Sequence, residues 1–491
     1  MPDHDWSAAT AAAEEKLDGW AEHDPGGVIL GLENGEPRLI ATAGKGGAGL
    51  GSLGPESVFR WASVTKHIFA SCLLESGAFA LDMPLGEALP DLAPAPAAAT
   101  IGQALAMQGG LPDPRECLTL LGFGGHARTE ADTLYRWMAG LDWLNAAPGF
   151  EVAYSNGGYR LLEVALARRG FVFSEMIAAH AERLGIGMRA SEHWTDPVPG
   201  LVPGHVPDDD GWSEGFQGMH LSAAGSLCGS AMDLALWLTD LMSREMFARL
   251  ARPLPLASGE PTGYGLGMSL TRLGAMAVPG HGGAQAGYRA GFLCDPAKKV
   301  VLVALTNRDE GDATGIAAHV WAALCGARQE LPKPAGEWAP PGLYAAGEGD
   351  LWAEVRPGSI VVRDAEEALF EGEDGWFVSN AAQSRMRLRH VEGALTGKLF
   401  HRPVRLLPIA DHREAPELDG DWACGGALLR IEGRQLQWGV GPLRKTETLM
   451  PLGNGRWLFP ANGRRICLQR LAGDRLKLSL ARARGITYRR V

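Results

Sequence analysis

The last third of the chain repeats itself, and this restricts its fold more than any other feature. Gly342-Leu343-Tyr344 returns as Gly420-Asp421-Trp422, Gly375-Trp376-Phe377-Val378 as Arg456-Trp457-Leu458-Phe459, and Gly393 as Gly473. The offsets are 78, 81 and 80 residues, in unchanged order. Between these marks run short segments such as SIVVRD, RMRLRHV, ALLRIEG and RLKLSL, separated by turn residues. Apolar and polar residues alternate in them, the pattern of half-buried strands. A unit of about 80 residues with this pattern is long enough for one small eight-stranded barrel. The chain is therefore expected to end in two all-β domains, at 331–412 and 413–491. The first boundary falls in the Pro-rich ELPKPAGEWAPPG (330–342) and the second near DHREAPE (411–417).

Residues 1–330 read differently. VILGLENG and PRLIATAG form a hairpin broken at Asn34-Gly35. Helices are expected from Ser63 to Gly77, from Tyr159 to about Arg169, around 230–242 and at about 313–326. YGLGMSL, AMAVPG, YRAGFLCD and KVVLVALTN read as strands at hairpin spacing. This predicts an α+β domain, an antiparallel sheet with helices packed on it.

Composition removes several classes of function. Of 491 residues, 46% are hydrophobic and 21% charged, and the net charge is −11. An acidic surface argues against nucleic acid or an anionic membrane as partner. No run of 18 apolar residues predicts a transmembrane helix. The N-terminal MPDHDWSAATAAAEEKLDGW reads as an amphipathic surface helix, not an export signal. Seven scattered cysteines without a C-x-x-C pair are expected to be reduced and buried, in a cytoplasmic protein. His205 with Asp208-Asp209-Asp210 matches no standard metal spacing, so neither a metal nor a cofactor is expected.

Three short motifs carry chemistry. Ser63-Val64-Thr65-Lys66 opens a helix, and residues three apart share a helix face. Lys66 then reaches the Ser63 hydroxyl and can serve as its base if burial lowers its pKa. The backbone N–H of Ser63, at the positive end of the helix, is half of an oxyanion hole. Tyr154-Ser155-Asn156 lies on a loop before a helix. The Tyr154 phenol can act as base or as proton donor to a leaving group, and the Asn156 amide can bond both lysine and substrate. His281-Gly282-Gly283-Ala284 lies between AMAVPG and YRAGFLCD, where two glycines let a substrate approach the edge of a strand. Taken singly, each motif is equally a cap or a turn.

In this order and spacing the three motifs resemble the serine β-lactamase and penicillin-binding-protein superfamily, in its class C-like branch. PGFEVAYSNGGYRLLEVAL, LSAAGSLCGSAMDLALWL and GHGGAQAGYRAGFLCDPAKKVVLVALTNRD are similar to its later elements, over about residues 20–325. The third motif of that superfamily carries a lysine or histidine. This chain has no lysine between Lys66 and Lys298, so His281 takes that place. Length, motifs and two terminal lipocalin-like barrels are similar to the bacterial D-aminopeptidases. The resemblance implies removal of N-terminal D-amino acids from small peptides, amides or esters. It implies Ser63 as nucleophile, Lys66 as its base, Tyr154 as proton donor to the leaving amine, and Asn156 and His281 as positioning groups. Gly283 and Ala284 line the oxyanion hole, whose donors are the N–H groups of Ser63 and Ala284. A homodimer is also implied. The alternative is an esterase or β-lactamase-like hydrolase without selectivity for a free amine, and a catalytically silent binding module is a third class.

In D-aminopeptidases a loop of the third domain reaches the active site, and an acidic residue is implicated in selecting the amine. Asp474, in the turn Gly473-Asp474-Arg475, is a candidate for that role. Asn454 and Glu214 are others.

Overall fold

The computed structural model describes residues 4–46, 51–209, 211–274, 276–327, 333–380, 385–409 and 417–491. The expected domain boundaries at 330/331 and 412/413 lie outside these residues.

The N-terminal part is built on a six-stranded antiparallel sheet. Its order is Glu36–Ala43, Gly27–Glu33, Val300–Thr306, Tyr288–Asp295, Met276–Gln285, Ser269–Leu273. The first two strands are the expected hairpin, and Asn34 and Gly35 both take positive φ in its turn. Every residue of Val300–Thr306 is buried, because both faces of the sheet are covered. Val301, Val303 and Leu305 join the main core, while Val300, Leu302 and Ala304 face the opposite way, the period of two expected of a strand. Helices Trp6–Leu17 and Ala313–Leu324 cover that second face. The N-terminal helix thus packs its alanines Ala9, Ala12 and Ala13 against the sheet domain.

The other face carries a larger helical layer with helix Thr65–Glu75 at its centre. Residues 65–73 of that helix are all buried. A helix with no solvent face needs partners for its polar side chains. His67 has them: Nδ1 lies 2.6 Å from the Val64 carbonyl, and Nε2 accepts from the Trp237 indole at 3.1 Å. Two elements differ from the sequence expectation. The strand expected at YGLGMSL begins only at Ser269, because Gly267 at φ +76° turns the chain across the backbone of Lys66 and His67. The helix expected from Tyr159 begins at Asn156, where the Ser155 hydroxyl accepts from the Gly157 N–H at 3.0 Å and caps it.

The repeat folds as a repeat. Residues 342–408 form a closed eight-stranded antiparallel barrel. Its fourth strand, Ala365–Glu371, pairs with the third strand through 365–368 and with the fifth through 369–371, bending at the buried Leu369. In the following unit Lys445–Thr448 and Met450–Pro451 are the two ends of a nine-stranded antiparallel sheet. They are one strand bent at the buried Leu449, which joins the ends of the sheet through the chain itself. Gly342 and Gly420 open their units at φ +136° and +132°. The Tyr344 hydroxyl donates to the Pro340 carbonyl, and the Trp422 indole to that of Leu418, each at 3.0 Å and four residues back.

The Pro-rich seam is not a free tether. Ala335 and Trp338 belong to the first barrel's core, and the Trp338 indole donates to the carbonyls of Arg356 and Ser359. The second barrel grips the N-terminal domain. Cys117 and Leu120, three apart on helix Pro114–Leu120, enter its core beside Trp422 and Tyr488. Glu151, 1% exposed, receives Arg484 of the second barrel at 2.6 Å and Arg402 of the first at 2.9 Å. A buried carboxylate requires such pairing, and here it ties three units together. All seven cysteines are free, and all but Cys424 are buried.

Candidate active site

The chain enters helix Thr65–Glu75 through one tight helical turn, Ala62–Val64. Ala62 sits at φ +49°, a conformation that side-chain-bearing residues adopt at a cost of order 1–3 kcal/mol and that clusters at functional sites. Trp61 anchors the turn, its N–H on the Leu227 carbonyl and its indole on that of Gly229, both at 2.9 Å. Ser63 is thereby held at the mouth of a cleft.

Lys66 is wholly buried behind it. Its Nζ lies 2.9 Å from Ser63 Oγ, 2.8 Å from Asn156 Oδ1 and 2.6 Å from the Ala224 carbonyl oxygen. The last two can only accept. A neutral amine has two N–H groups, which these two acceptors occupy, so its lone pair faces the Ser63 hydroxyl. Burial pushes the Lys66 pKa well below the usual lysine range, against the carboxylate of Asp113, which raises it. Geometry and electrostatics therefore both favour the form in which lysine takes a proton from serine.

Asn156 is oriented from behind. Asp113 Oδ2 accepts from its backbone N–H at 2.9 Å and its side-chain Nδ2 at 2.7 Å, which turns Oδ1 towards Lys66. Asp113 is also the N-cap of helix Pro114–Leu120, accepting from the Arg115 N–H at 2.9 Å. The helix that plugs the second barrel thus also fixes a group of the cleft.

Tyr154 stands on the other side of the serine. Its ring centroid is 5.0 Å from Lys66 Nζ. Burial raises its pKa to about 12, offset in part by its hydrogen bond with Ser63. Sequence reasoning left it as base or proton donor. With this shift the phenol keeps its proton and is suited to donate it.

His281 is near but otherwise engaged. Its Nδ1 lies 2.5 Å from the Gly282 carbonyl and must donate, so Nε2 accepts from the Tyr264 hydroxyl at 2.8 Å. Burial, followed by the charge of Lys66, lowers its pKa to about 3, and the imidazole is neutral. The Tyr154 and His281 rings are 6.4 Å apart, in contact without a hydrogen bond. Tyr264 was not found from the sequence, since a lone tyrosine in a Gly-rich stretch carries no motif.

The Gly-Gly motif is not a turn. Strand Met276–Gln285 runs straight through it, and Ala286-Gly287 makes the turn. The glycine is needed because another backbone lies against it. A Cβ on Gly283 would stand 2.3 Å from the Trp61 carbonyl oxygen and 3.1 Å from the Ser63 nitrogen. This approach brings Ala284 to the same cleft wall as Ser63, which suits two N–H donors to one developing oxyanion. Gly283→Ala is expected to push strand and serine turn apart and to lower kcat/KM about 100–1000-fold, the scale of losing one oxyanion donor. Steady-state kinetics on the folded variant checks this, and a loss below tenfold would contradict it.

Asp474 is not brought to the cleft. It lies 72% exposed in the Gly473-Asp474-Arg475 turn, with Arg490 Nε 3.5 Å from its carboxylate. Glu214 is exposed on strand Gly211–Glu214, and the Asn454 side chain donates to the Gly347 carbonyl. The segment of the last domain that does reach the cleft is 480–485. There the Arg482 N–H donates to Glu116, its carbonyl accepts from the Asp113 N–H at 2.8 Å, and its guanidinium lies 4.8 Å from the Tyr154 ring centroid. Among the described residues no cluster of three or more His, Cys, Asp or Glu is placed to hold a metal ion.

Comparison with known proteins places this geometry. The Beta-lactamase family pattern matches residues 11–324. A protein of Cereibacter sphaeroides named D-aminopeptidase is 26% identical over 470 residues, covering 88% of this chain and 87% of that one. Among solved structures, the octameric penicillin-binding protein homologue from Pyrococcus abyssi superposes with a TM-score of 0.56 at 18% identity, over 99% of this chain and 100% of that one. The D-amino acid amidase from Ochrobactrum anthropi gives 0.54 at 19% identity, over 66% of this chain and 99% of its own.

Proposed function

The chain belongs to the Beta-lactamase family, and we propose that within it this protein is an acyl-serine hydrolase that removes N-terminal D-amino acids from small peptides, amides or esters. The observation that carries the chemistry is Lys66, whose two amine hydrogens are taken by Asn156 and Ala224 while its third direction points at Ser63. The preference for D-residues is supported by the relative named D-aminopeptidase, whose alignment covers 88% of this chain and so extends beyond the catalytic domain.

In this reading Lys66 takes the Ser63 proton as Oγ attacks the substrate carbonyl. The N–H groups of Ser63 and Ala284 hold the oxyanion, with Gly283 allowing the strand to close on the serine turn. Tyr154 hands its proton to the leaving amine, and Lys66, whose Nζ lies 5.0 Å from the Tyr154 ring centroid, returns to the phenolate the proton it took from Ser63. Water then attacks the acyl-enzyme by the same groups in reverse. Asn156 holds Lys66, and His281 positions the wall through Tyr264. No step calls for a metal or cofactor. A homodimer in the cytoplasm belongs to the same reading, to be checked by sedimentation and fractionation.

The assay is a matched panel: the p-nitroanilides of D-Ala, L-Ala and N-acetyl-D-Ala, with p-nitrophenyl butyrate and nitrocefin. Cleavage of the D-Ala anilide, with the L and acetylated forms refused, is expected. Turnover of the butyrate ester alone would favour the second reading, an esterase or β-lactamase-like hydrolase without amine selectivity. One observation speaks for that reading: Asp113 and Glu116, the carboxylates that line the cavity adjoining the cleft, are already engaged, by Asn156 and by Arg464.

A further inference from the structure

Helix Asn156–Arg168 turns one face towards Lys66 and the segment 220–226. Positions 156, 160 and 163 stand on that face, at i, i+4 and i+7. Each of their side chains makes one of the contacts. Asn156 Oδ1 accepts from Lys66 at 2.8 Å. The Arg160 guanidinium donates to the His220 carbonyl and lies 3.1 Å from His220 Nδ1. The half-buried Glu163 accepts from the Ala223 N–H at 3.1 Å.

What these contacts hold is a tight turn. The Gly225 and Ser226 N–H groups both donate to the Ser222 carbonyl, at 2.7 and 2.9 Å. The turn presents two carbonyls to the site. That of Ala224 accepts from Lys66 Nζ at 2.6 Å. That of Gly225 accepts from the Gln285 side chain at 2.7 Å, one residue beyond Ala284 of the oxyanion wall. Just after the turn, the Leu227 N–H donates to Thr65 Oγ1, the neighbour of Lys66, at 3.1 Å. Ala223 is fully buried, and among the described residues no acceptor but Glu163 meets its N–H. A buried N–H requires such a partner.

We propose that Glu163 is a positioning residue of the hydrolase: by holding the Ala223 N–H it fixes the turn, keeps the Ala224 carbonyl on Lys66, and so keeps the lysine lone pair on Ser63. Glu163 touches neither substrate nor reacting atoms. The proposal rests on Lys66 as base and deepens that reading. What position 163 supplies is an acceptor, not a charge. An acceptor on an amine favours its protonated form. Loosening the Ala224 carbonyl therefore lowers the proton affinity of Lys66 as well as freeing its direction.

The test sets Glu163→Met against Glu163→Gln in the full-length protein. Both remove the carboxylate charge and keep the side-chain length, and only Gln keeps an oxygen for the Ala223 N–H. The other groups that act on Lys66 stay in place: Asp113, Arg115, Arg160 and Arg482, with the rings of Tyr154 and Tyr159 beside it. The substrate is whichever of D-Ala p-nitroanilide and p-nitrophenyl butyrate the wild type cleaves. Relative to Glu163→Gln, Glu163→Met is expected to lose about ten- to a hundredfold of kcat, the scale of a misplaced catalytic group, with KM within about twofold. Its rising pH limb is expected at least about half a pH unit lower. Equal rates and limbs in the two variants overturn the proposal. So does a loss of kcat with the limb unmoved, which marks a merely structural role. If Glu163→Met does not fold, Glu163→Gln decides: kcat within about threefold of the wild type supports the proposal, and a larger loss overturns it. If the wild type cleaves neither substrate, the proposed activity fails, yet the Lys66 pKa can still be read without turnover. The chain has nine lysines, so the Cε resonance of Lys66 in protein labelled with 13C-lysine is assigned by its absence from Lys66→Met. A titration midpoint lower in Glu163→Met than in Glu163→Gln supports the proposal, and equal midpoints overturn it.

Discussion

Ser63→Ala is expected to remove at least about ten-thousand-fold of kcat on every amide and ester the wild type cleaves, the scale on which nucleophile deletions act in serine hydrolases. The reason lies in how the site is built. Other serines stand near the cleft, Ser222 and Ser226 among them, but each is at 2% exposure and neither meets Lys66. Among the described residues only Ser63 joins the Lys66 amine, at 2.9 Å, to the hydrogen-bonded Tyr154 phenol. A slowly deacylating ester should add one acyl mass to the peptide containing Ser63 in the wild type and none in the variant. Unchanged turnover, or an adduct on another residue, would remove both the aminopeptidase and the esterase readings. The substitution itself is mild, because Ser63 takes no part in core packing, so an unchanged circular dichroism spectrum is expected beside the lost activity.

What the sequence made legible follows from distance along the chain. Ser63 and Lys66 could be paired because a helix turn links them, and Asn156 could be tied to Tyr154 because they share one loop. The barrels were legible because duplication writes the same turns twice. The bends at Leu369 and Leu449 were not, since an apolar residue inside a strand carries no sign that the strand changes partners there. Gly282-Gly283 was read as glycines that admit a substrate to a strand edge, yet what demands glycine at Gly283 is the backbone of Trp61, more than two hundred positions earlier. His281 could be singled out from its motif, but its partner Tyr264 shows only when the chain folds beside it. Arg482 was not legible either, since in SLARARG it is an ordinary surface arginine, and only the docking of the last domain onto helix Pro114–Leu120 brings its guanidinium onto the Tyr154 ring. The acid sought at Asp474 failed for the same reason. A hairpin tip was chosen for its charge, whereas the segment that reaches the cleft is the connection 480–485, held by Asp113, Glu116 and Asn145.

Lys66→Met is expected to cost about three to four orders of magnitude in kcat/KM, near the upper range for removing a general base whose partner is also a nucleophile. Lys66→Arg should do no better, although it keeps a cation, because a guanidinium does not surrender its proton at working pH. That comparison separates two roles. If Lys66 acted only as a fixed positive charge beside the oxyanion or Tyr154, arginine would recover much of the rate, and such recovery would refute its role as base. The pH profile is a second readout. Burial lowers the Lys66 pKa, and a base works in its deprotonated form, so wild-type kcat/KM should rise with pH through a limb below the usual lysine range. The falling limb belongs to Tyr154, which must keep its proton and is pushed up to about 12. His281, neutral down to about 3, adds no limb between them. The profile is therefore a rise to a broad plateau, not a narrow bell. In Lys66→Met the rising limb should vanish and leave a low rate nearly flat in pH. A limb that persists in the variant would assign the proton transfer to another group.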